Sequence, residues 1–253
     1  MSFSTLQASG SSLKNIQQAL DVTTHNIANV NSTAFKAGRV NFEAVTSLGI
    51  ERNYSGTSVN SVSTNFRQGP SKTTNSATDL SIQGSGFFSV QNSDGQIVFT
   101  RDGHFMTDGM GDLVTAGGAY VLSAGGGKIN IPMDARDLEV NSSGEIRAKL
   151  TGSEDLVLID QVQLATFINS QGLESIGSNC YKESANSGSP EFATALAEGT
   201  GLASTFIRAG FLEGSNTDLS SSFVDLMSYQ RSYQAVSKAA TTANDILETT
   251  LNI

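Results

Sequence analysis

The chain reads as an α+β protein in which long helices at its two ends form a paired coiled-coil layer and the residues between them form an all-β domain. Three features predict this. Apolar residues recur every seven positions at each terminus, the apolar period drops to two in the middle, and glycine-bearing turn signals split the middle into short runs.

The first helix is expected to begin near Ser2 or Ser4 and to end at about Asn29. Leu6, Leu13, Leu20 and Ile27 stand seven apart, Ile16 and Val30 take the second seam position, and Phe3 lies beside them. That is a heptad stripe. Asn29-Val30-Asn31-Ser32-Thr33 then supplies residues that favour turns and caps. From 33 to 76 the chain carries Gly38, Gly49, Gly56, Gly69 and Pro70 among scattered single apolar residues, which suits an extended connector without a core of its own.

Residues 77 to 213 are expected to form the β-rich outer domain. Leu80 and Ile82, Phe88 and Val90, then Val98 and Phe99 give short apolar runs, and Asp94-Gly95, Asp102-Gly103 and Asp108-Gly109 read as hairpin turns of a β-meander. Gly117-Gly118 and Gly125-Gly126-Gly127 continue the punctuation, and the runs 156–159 and 162–168 supply further strands. Ser215-Asn216-Thr217-Asp218 offers an N-cap and an acidic first turn for the closing helix. In that helix Leu219, Leu226, Tyr233, Ala240 and Leu247 repeat the seven-residue spacing, with Tyr229, Val236 and Ala243 at the second seam position and Phe223 and Ile246 flanking. The helical domain is thus expected to combine residues 1–32 and 214–253.

Each terminal helix has one sticky side, and two such sides at opposite ends of a chain point to self-assembly. The expected interface is Leu6, Leu13, Ile16, Leu20, Ile27, Leu219, Phe223, Leu226, Tyr233, Val236 and Leu247. Ser9, Thr23 and Ser222 stand at seam positions where a strong two-stranded coil carries Leu or Ile. A pair held this loosely is marginal alone and needs neighbours.

Composition narrows the functional classes. Charged residues make up 15% of the 253 positions, below the roughly 25% of ordinary globular chains, so contacts with other molecules are expected to replace much of a solvated surface. A net charge of −9, with only 15 Lys and Arg and no basic cluster, excludes the basic patches that nucleic acids and anionic membranes select. The single cysteine, Cys180, leaves no internal disulfide framework and no cysteine-only zinc site. The opening residues lack the basic start and apolar stretch of a cleavable signal, and no apolar run reaches the ~18 to 20 residues of a membrane span. Any route out of the cytoplasm is expected to be signal-independent.

No enzymatic constellation assembles, and no cofactor is expected. His25 and His104 lie in unrelated segments without a ligand-pair spacing, and no G-x-S-x-G frame presents a serine. Gly125-Gly126-Gly127-Lys128 resembles a phosphate loop only superficially, because its first glycine is misplaced and Ile129 stands where Ser or Thr is needed. Asp102, Asp108 and Asp112 lack the spacing of a calcium loop, and Glu154-Asp155 are sequence neighbours without the fixed separation of a glycosidase pair.

Three blocks carry a family resemblance: His25 to Lys36 (HNIANVNSTAFK), Asp79 to Leu122 with GSGFFSV and FTRDGHFMTDGMGDLVTAGG, and GFLEGSNTDLSSSFVDLMSYQRSYQAVSKA from Gly210. In order and spacing they resemble the axial proteins of the bacterial flagellum, its rod and hook subunits. The resemblance implies a structural subunit, not an enzyme: a homopolymer whose paired helices line a central channel, with the β domain outside, in a hollow helical shaft that transmits torque. It further implies neighbouring rod and hook proteins as partners, export by the flagellar secretion apparatus, and a place in the basal body or hook. Length resembles a rod subunit. The short connector, without the additional segment of distal-rod subunits, and the start Met1-Ser2-Phe3 resemble a hook subunit. Ala34 stands where the family usually has Gly, so the backbone there is expected to avoid a glycine-only conformation. The competing reading is a secreted adhesin or binding protein whose helical ends only oligomerise a β head.

Overall fold

A computed structural model describes residues 3–46, 54–151, 155–197 and 201–251. The chain divides into two compact units, one of Met1–Val30, Ala37–Asn65 and Thr217–Ile253, the other of Asn31–Lys36 and Phe66–Asn216. The α+β class is as expected, with two long helices and a body of strands.

The first unit holds helix α1 (Phe3–Ala28), strands β1 (Gly38–Thr46) and β2 (Tyr54–Thr64), and helix α2 (Leu219–Leu251). Strands β1 and β2 pair antiparallel, with Val40 opposite Val62 and Phe42 opposite Val59 across a bulge. This hairpin lies inside the stretch expected as a connector. Val40 and Phe42 alternate with Arg39, Asn41 and Glu43, and that period of two sets the two apolar side chains on one face of β1. Helix α1 packs against α2 and against both strands.

The second unit holds the remaining strands in chain order: β3 (Ser71–Thr73), β4 (Leu80–Gln83), β5 (Phe87–Gln91), β6 (Ile97–Thr100), β7 (Phe105–Thr107), β8 (Leu113–Thr115), β9 (Tyr120–Val121), β10 (Ala135–Val140), β11 (Glu145–Leu150), β12 (Leu156–Gln161), β13 (Leu164–Thr166), β14 (Glu174–Gly177), β15 (Cys180–Lys182), β16 (Glu191–Ala193), β17 (Phe206–Ala209) and β18 (Phe211–Glu213). A nine-stranded sheet runs β14-β15-β6-β5-β9-β8-β7, with β13 joined to β5 and β16. Three smaller sheets are β10-β11-β12, β17-β4 and β18-β3. In the last two, strands from the end of the unit pair with strands from its beginning.

The expected meander is corrected by this order. Asp94-Gly95 does turn β5 into β6, with Gly95 at φ 77°, and the Asp108 loop turns β7 into β8. Asp102-Gly103 makes no hairpin, because β6 and β7 do not pair. Gly103 is there for closeness instead: its carbonyl accepts the Leu80 N–H at 3.0 Å, and a Cβ at 103 would overlap the Leu80 carbonyl oxygen. Gly125-Gly126-Gly127-Lys128 closes a tight turn in which Ser123 N–H reaches the Gly127 carbonyl, and the Lys128 ammonium sits over the Tyr120 ring.

Strand β5 explains the core. Phe88 and Val90 point into a large cluster with Leu80, Ile82, Phe105 and Ile146, while Phe87 packs on the opposite face with Phe99 and Tyr181. Both faces are covered, so Phe87, Phe88, Ser89 and Val90 are all buried. The largest fully buried side chains of the described residues, from Leu80 to Ile207, all belong to this unit.

Candidate assembly surface

Helix α2 starts where its cap residues place it. The Asp218 carboxylate accepts N–H bonds from Ser220 at 2.9 Å and Ser221 at 3.3 Å, which satisfies two donors that a helix start leaves unpaired. From there the helix runs for 33 residues, about 50 Å at 1.5 Å per residue. Its inner stripe is Ser222, buried, then Leu226, Tyr229, Val236, Ala240 and Ala243, half-buried.

The matching stripe of α1 is small and polar. Ala19, Thr23 and Asn26 are its buried residues, spaced by four and three, and Thr23 Oγ1 donates to the Ala19 carbonyl at 2.8 Å. Asn26 reaches the hairpin: its amide donates to the Gly38 carbonyl and accepts the Gly38 N–H, both at 2.8 Å, as a paired strand would. A Cβ on Gly38 would press to 3.1 Å from Val22 Cγ1. Thr23 and Ser222 weaken a leucine seam, yet they are among the most buried side chains of this unit, because small groups let the neighbouring elements approach closely.

Of the residues expected at the interface, Leu13, Ile16, Leu20, Ile27, Leu226 and Val236 are half-buried. Leu219, Phe223 and Tyr233 keep 41%, 46% and 39% of their surface exposed. The side chains of Leu6 and Leu247 lie outside the described ones. Sequence reasoning missed Val224 and Met227, exposed at 60% and 51%. Leu219, Phe223 and Met227 recur every four residues and lie within one angular sector of α2 beside the inner stripe, so the helix is apolar on two adjacent faces. Phe42 of β1 meets Tyr229 at 6.2 Å between ring centres, a contact no heptad pattern foretells.

Sites of other chemistry are poorly furnished. Among the described residues no group of three His, Cys, Asp or Glu side chains is placed to hold a metal ion, and no helix is long and apolar enough to cross a membrane. A cavity of about 510 Å3 is lined by Thr100, Asp102, Asn179 and Cys180 among others. Burial pushes the Cys180 thiol and the Asp102 carboxyl up from their ordinary values, the direction that disfavours the charged form of each. His104 Nδ1 lies 2.8 Å from Asp79 Oδ1, and Asp108 Oδ1 accepts the Met110 and Asp112 N–H groups within its own turn.

Family models match three stretches: "Flagella basal body rod protein" over 6–36, "Flagellar hook protein FlgE/F/G D1 domain" over 81–148 and "Flagellar basal body rod FlgEFG protein C-terminal" over 208–253. The chain is 36% identical over 260 residues to the flagellar basal-body rod protein FlgG of Bacillus subtilis, covering 96% of each. It is 33% identical over 262 residues to that of Caulobacter vibrioides, covering 97% of each. Similarity to the flagellar hook protein FlgE of Helicobacter pylori, 39% over 120 residues, covers 47% of this chain and 16% of that protein. Helices at both ends, a strand-built body between them and likeness to the rod proteins along nearly the full length have one explanation: the chain belongs to the bacterial flagellar rod and hook protein family and is a structural subunit of that shaft.

Proposed function

We propose that copies of this chain polymerise into the hollow helical rod of the flagellum, with the terminal helices pairing as a coiled-coil lining around an export channel and the β units outward. One observation carries the reading: the helical unit has no large fully buried side chain among its described residues, while Leu219, Phe223 and Met227 stay exposed along one side of α2. An exposed apolar stripe beside the half-buried one is the surface of an unfinished core. The second copy supplies the missing half. Rod is favoured over hook because the rod relatives align along almost their whole length and the hook relative along 16% of its own. Partners are then sister copies and adjoining rod and hook proteins, and the route out is the flagellar secretion apparatus. No observation favours an adhesin.

The test is Leu13→Asp or Leu226→Asp in the full chain. A carboxylate forced into the interface has no partner there and costs several kcal/mol per subunit, of the order set for unpaired buried charge. The expected outcome is loss of sedimenting polymer with the near-ultraviolet signal of the β unit intact. Normal polymer from either variant overturns the interface. Electron microscopy of basal bodies from a deletion strain separates the roles: a missing rod supports this reading, and a missing hook on an intact rod contradicts it.

A further inference from the structure

Residues 31–36 belong to the β unit and lie in it as a bound peptide does. The Thr33 carbonyl accepts from Asn179 Nδ2 at 2.7 Å, the Ala34 N–H donates to the Glu213 carbonyl at 2.7 Å, and the Phe35 carbonyl accepts the Asn216 N–H at 3.3 Å. These are bonds to backbone, which any sequence could make. Lys36 is the exception. Its side chain is fully buried and its ammonium donates to Glu213 Oε1 and to the Arg67 carbonyl. The same Oε1 accepts the Gly69 N–H at 2.9 Å, and Arg101 Nη1 lies 3.6 Å from Oε2. Arg101 Nη2 donates to the Gly84 carbonyl at 2.8 Å, and its guanidinium lies 5.3 Å from the centre of the Phe87 ring.

Two cations thus converge on one carboxylate in a site with 5% exposure or less at every member. Burial lowers the proton affinity of Lys36 and of Arg101 against the pull of Glu213. A desolvated cluster of this kind is a poor source of stability, since apolar side chains of similar volume often do as well or better. It is a strong source of register, because a slip of one residue would leave a buried cation without its partner.

We propose that Glu213 is a positioning residue: the buried acceptor that selects Lys36 and so fixes residues 31–36 and 211–216, the two segments by which the chain leaves the β unit, in one mutual register. Subunits lacking this clasp keep a folded β unit but present their chain ends in several registers, and they fail to stack.

Amide exchange on the full chain tests it, read at Ala34 and Asn216, with Leu113 N–H, bonded to the Ile129 carbonyl at 2.9 Å, as the core control. Glu213→Gln is expected to speed exchange at Ala34 and Asn216 by about tenfold or more while Leu113 stays within about twofold. The apolar triple variant Lys36→Met/Arg101→Met/Glu213→Leu is expected to melt no lower than the native chain and still to exchange fast at Ala34 and Asn216. Unchanged exchange at Ala34 in both variants, or equal acceleration at all three amides, overturns the proposal. Its consequence for stacking rests on the shaft reading and is read separately, by complementing a strain deleted for this chain. Reduced swarming with Glu213→Gln supports the clasp, and full swarming despite fast exchange overturns its part in assembly. A deletion strain that swims normally discredits the shaft reading instead, and leaves the exchange result standing.

Discussion

Ala34 is the residue at which expectation and structure part most sharply. The family resemblance sets a glycine at this position and an alanine is expected to avoid its conformation, yet the Ala34 backbone is left-handed, at φ 53°, and the methyl group is fully buried. The bonds on either side of it, from its own N–H to Glu213 and from Asn216 to Phe35, over-determine the turn. Magnitudes decide what glycine would do there. Relief of about 1–2 kcal/mol of left-handed strain is offset by about 0.8 kcal/mol of lost methyl burial and about 0.4–1 kcal/mol of unfolded-chain entropy. Ala34→Gly should therefore unfold within about 1 kcal/mol of the native chain, whereas Ala34→Val, with a branched Cβ in the same conformation, should lose about 3 kcal/mol or more. Urea titrations of both variants check this. Tyr181 offers a second residue-scale test. Burial, then Cys180, pushes its phenol up to about 12, with Arg101 pulling the other way. The folded state holds this proton more tightly than the unfolded chain does, so stability is complete below about pH 10 and falls as pH rises through 10 to 12, by about 3 kcal/mol. Lys36, lowered by burial, acts with opposite sign below the ordinary lysine value. The difference between native and Tyr181→Phe unfolding curves across that range isolates the tyrosine, and identical curves would refute its role.

At the scale of elements, the helices were legible because their signals are local. Heptad spacing picked out Leu13, Ile16, Leu20, Ile27, Leu226 and Val236, which are half-buried, together with Leu219, Phe223 and Tyr233, which are exposed, and Asp218 announced the start of the second helix. Asp218→Ala should lower the stability of the helical unit by about 1 kcal/mol, and Asp218→Asn by less, since an amide oxygen can still accept from Ser220. Helix ellipticity against temperature measures both. The hairpin β1–β2 was harder to see. Its apolar residues are single, its second strand is rich in Ser, and the alternation at Val40, Phe42 and Ala44 spans only one strand. The nine-stranded order was out of reach for another reason. Asp102-Gly103 carries the chemistry of a hairpin turn and serves close packing instead, and only tertiary contacts distinguish the two uses. The Lys36 cluster lies at the limit of legibility: its ion pair joins residues 177 positions apart, and no local pattern links a lysine to a glutamate at that distance.

For the whole molecule, the division of buried surface predicts how the chain loses its structure. Among the described residues the β unit owns the large buried side chains, a large aliphatic cluster and a smaller aromatic one, and strand pairs that tie its last residues to its first, β18 to β3 and β17 to β4. Among its described residues the helical unit is held by half-buried leucines, isoleucines and valine, an Asn26 clamp on Gly38 and the ring contact of Phe42 with Tyr229. Cooperative unfolding requires that one unit cannot open without costing the other comparable burial. With so unequal a distribution, a dilute single copy should melt in two steps. Helix signal at 222 nm goes first, and the near-ultraviolet signal of Tyr181, buried among Phe66, Phe87 and Phe99, persists to higher temperature. On the proposed assembly, in which the first unit gains burial from a neighbour, raising protein concentration should move the first step upward and leave the second nearly fixed, because mass action stabilises what the neighbour binds. Leu226→Asp should abolish that concentration dependence while sparing the second transition. A single coincident transition, insensitive to concentration, would mean that the helices are complete in one copy, and the exposed stripe of Leu219, Phe223 and Met227 would then need another explanation than the next subunit.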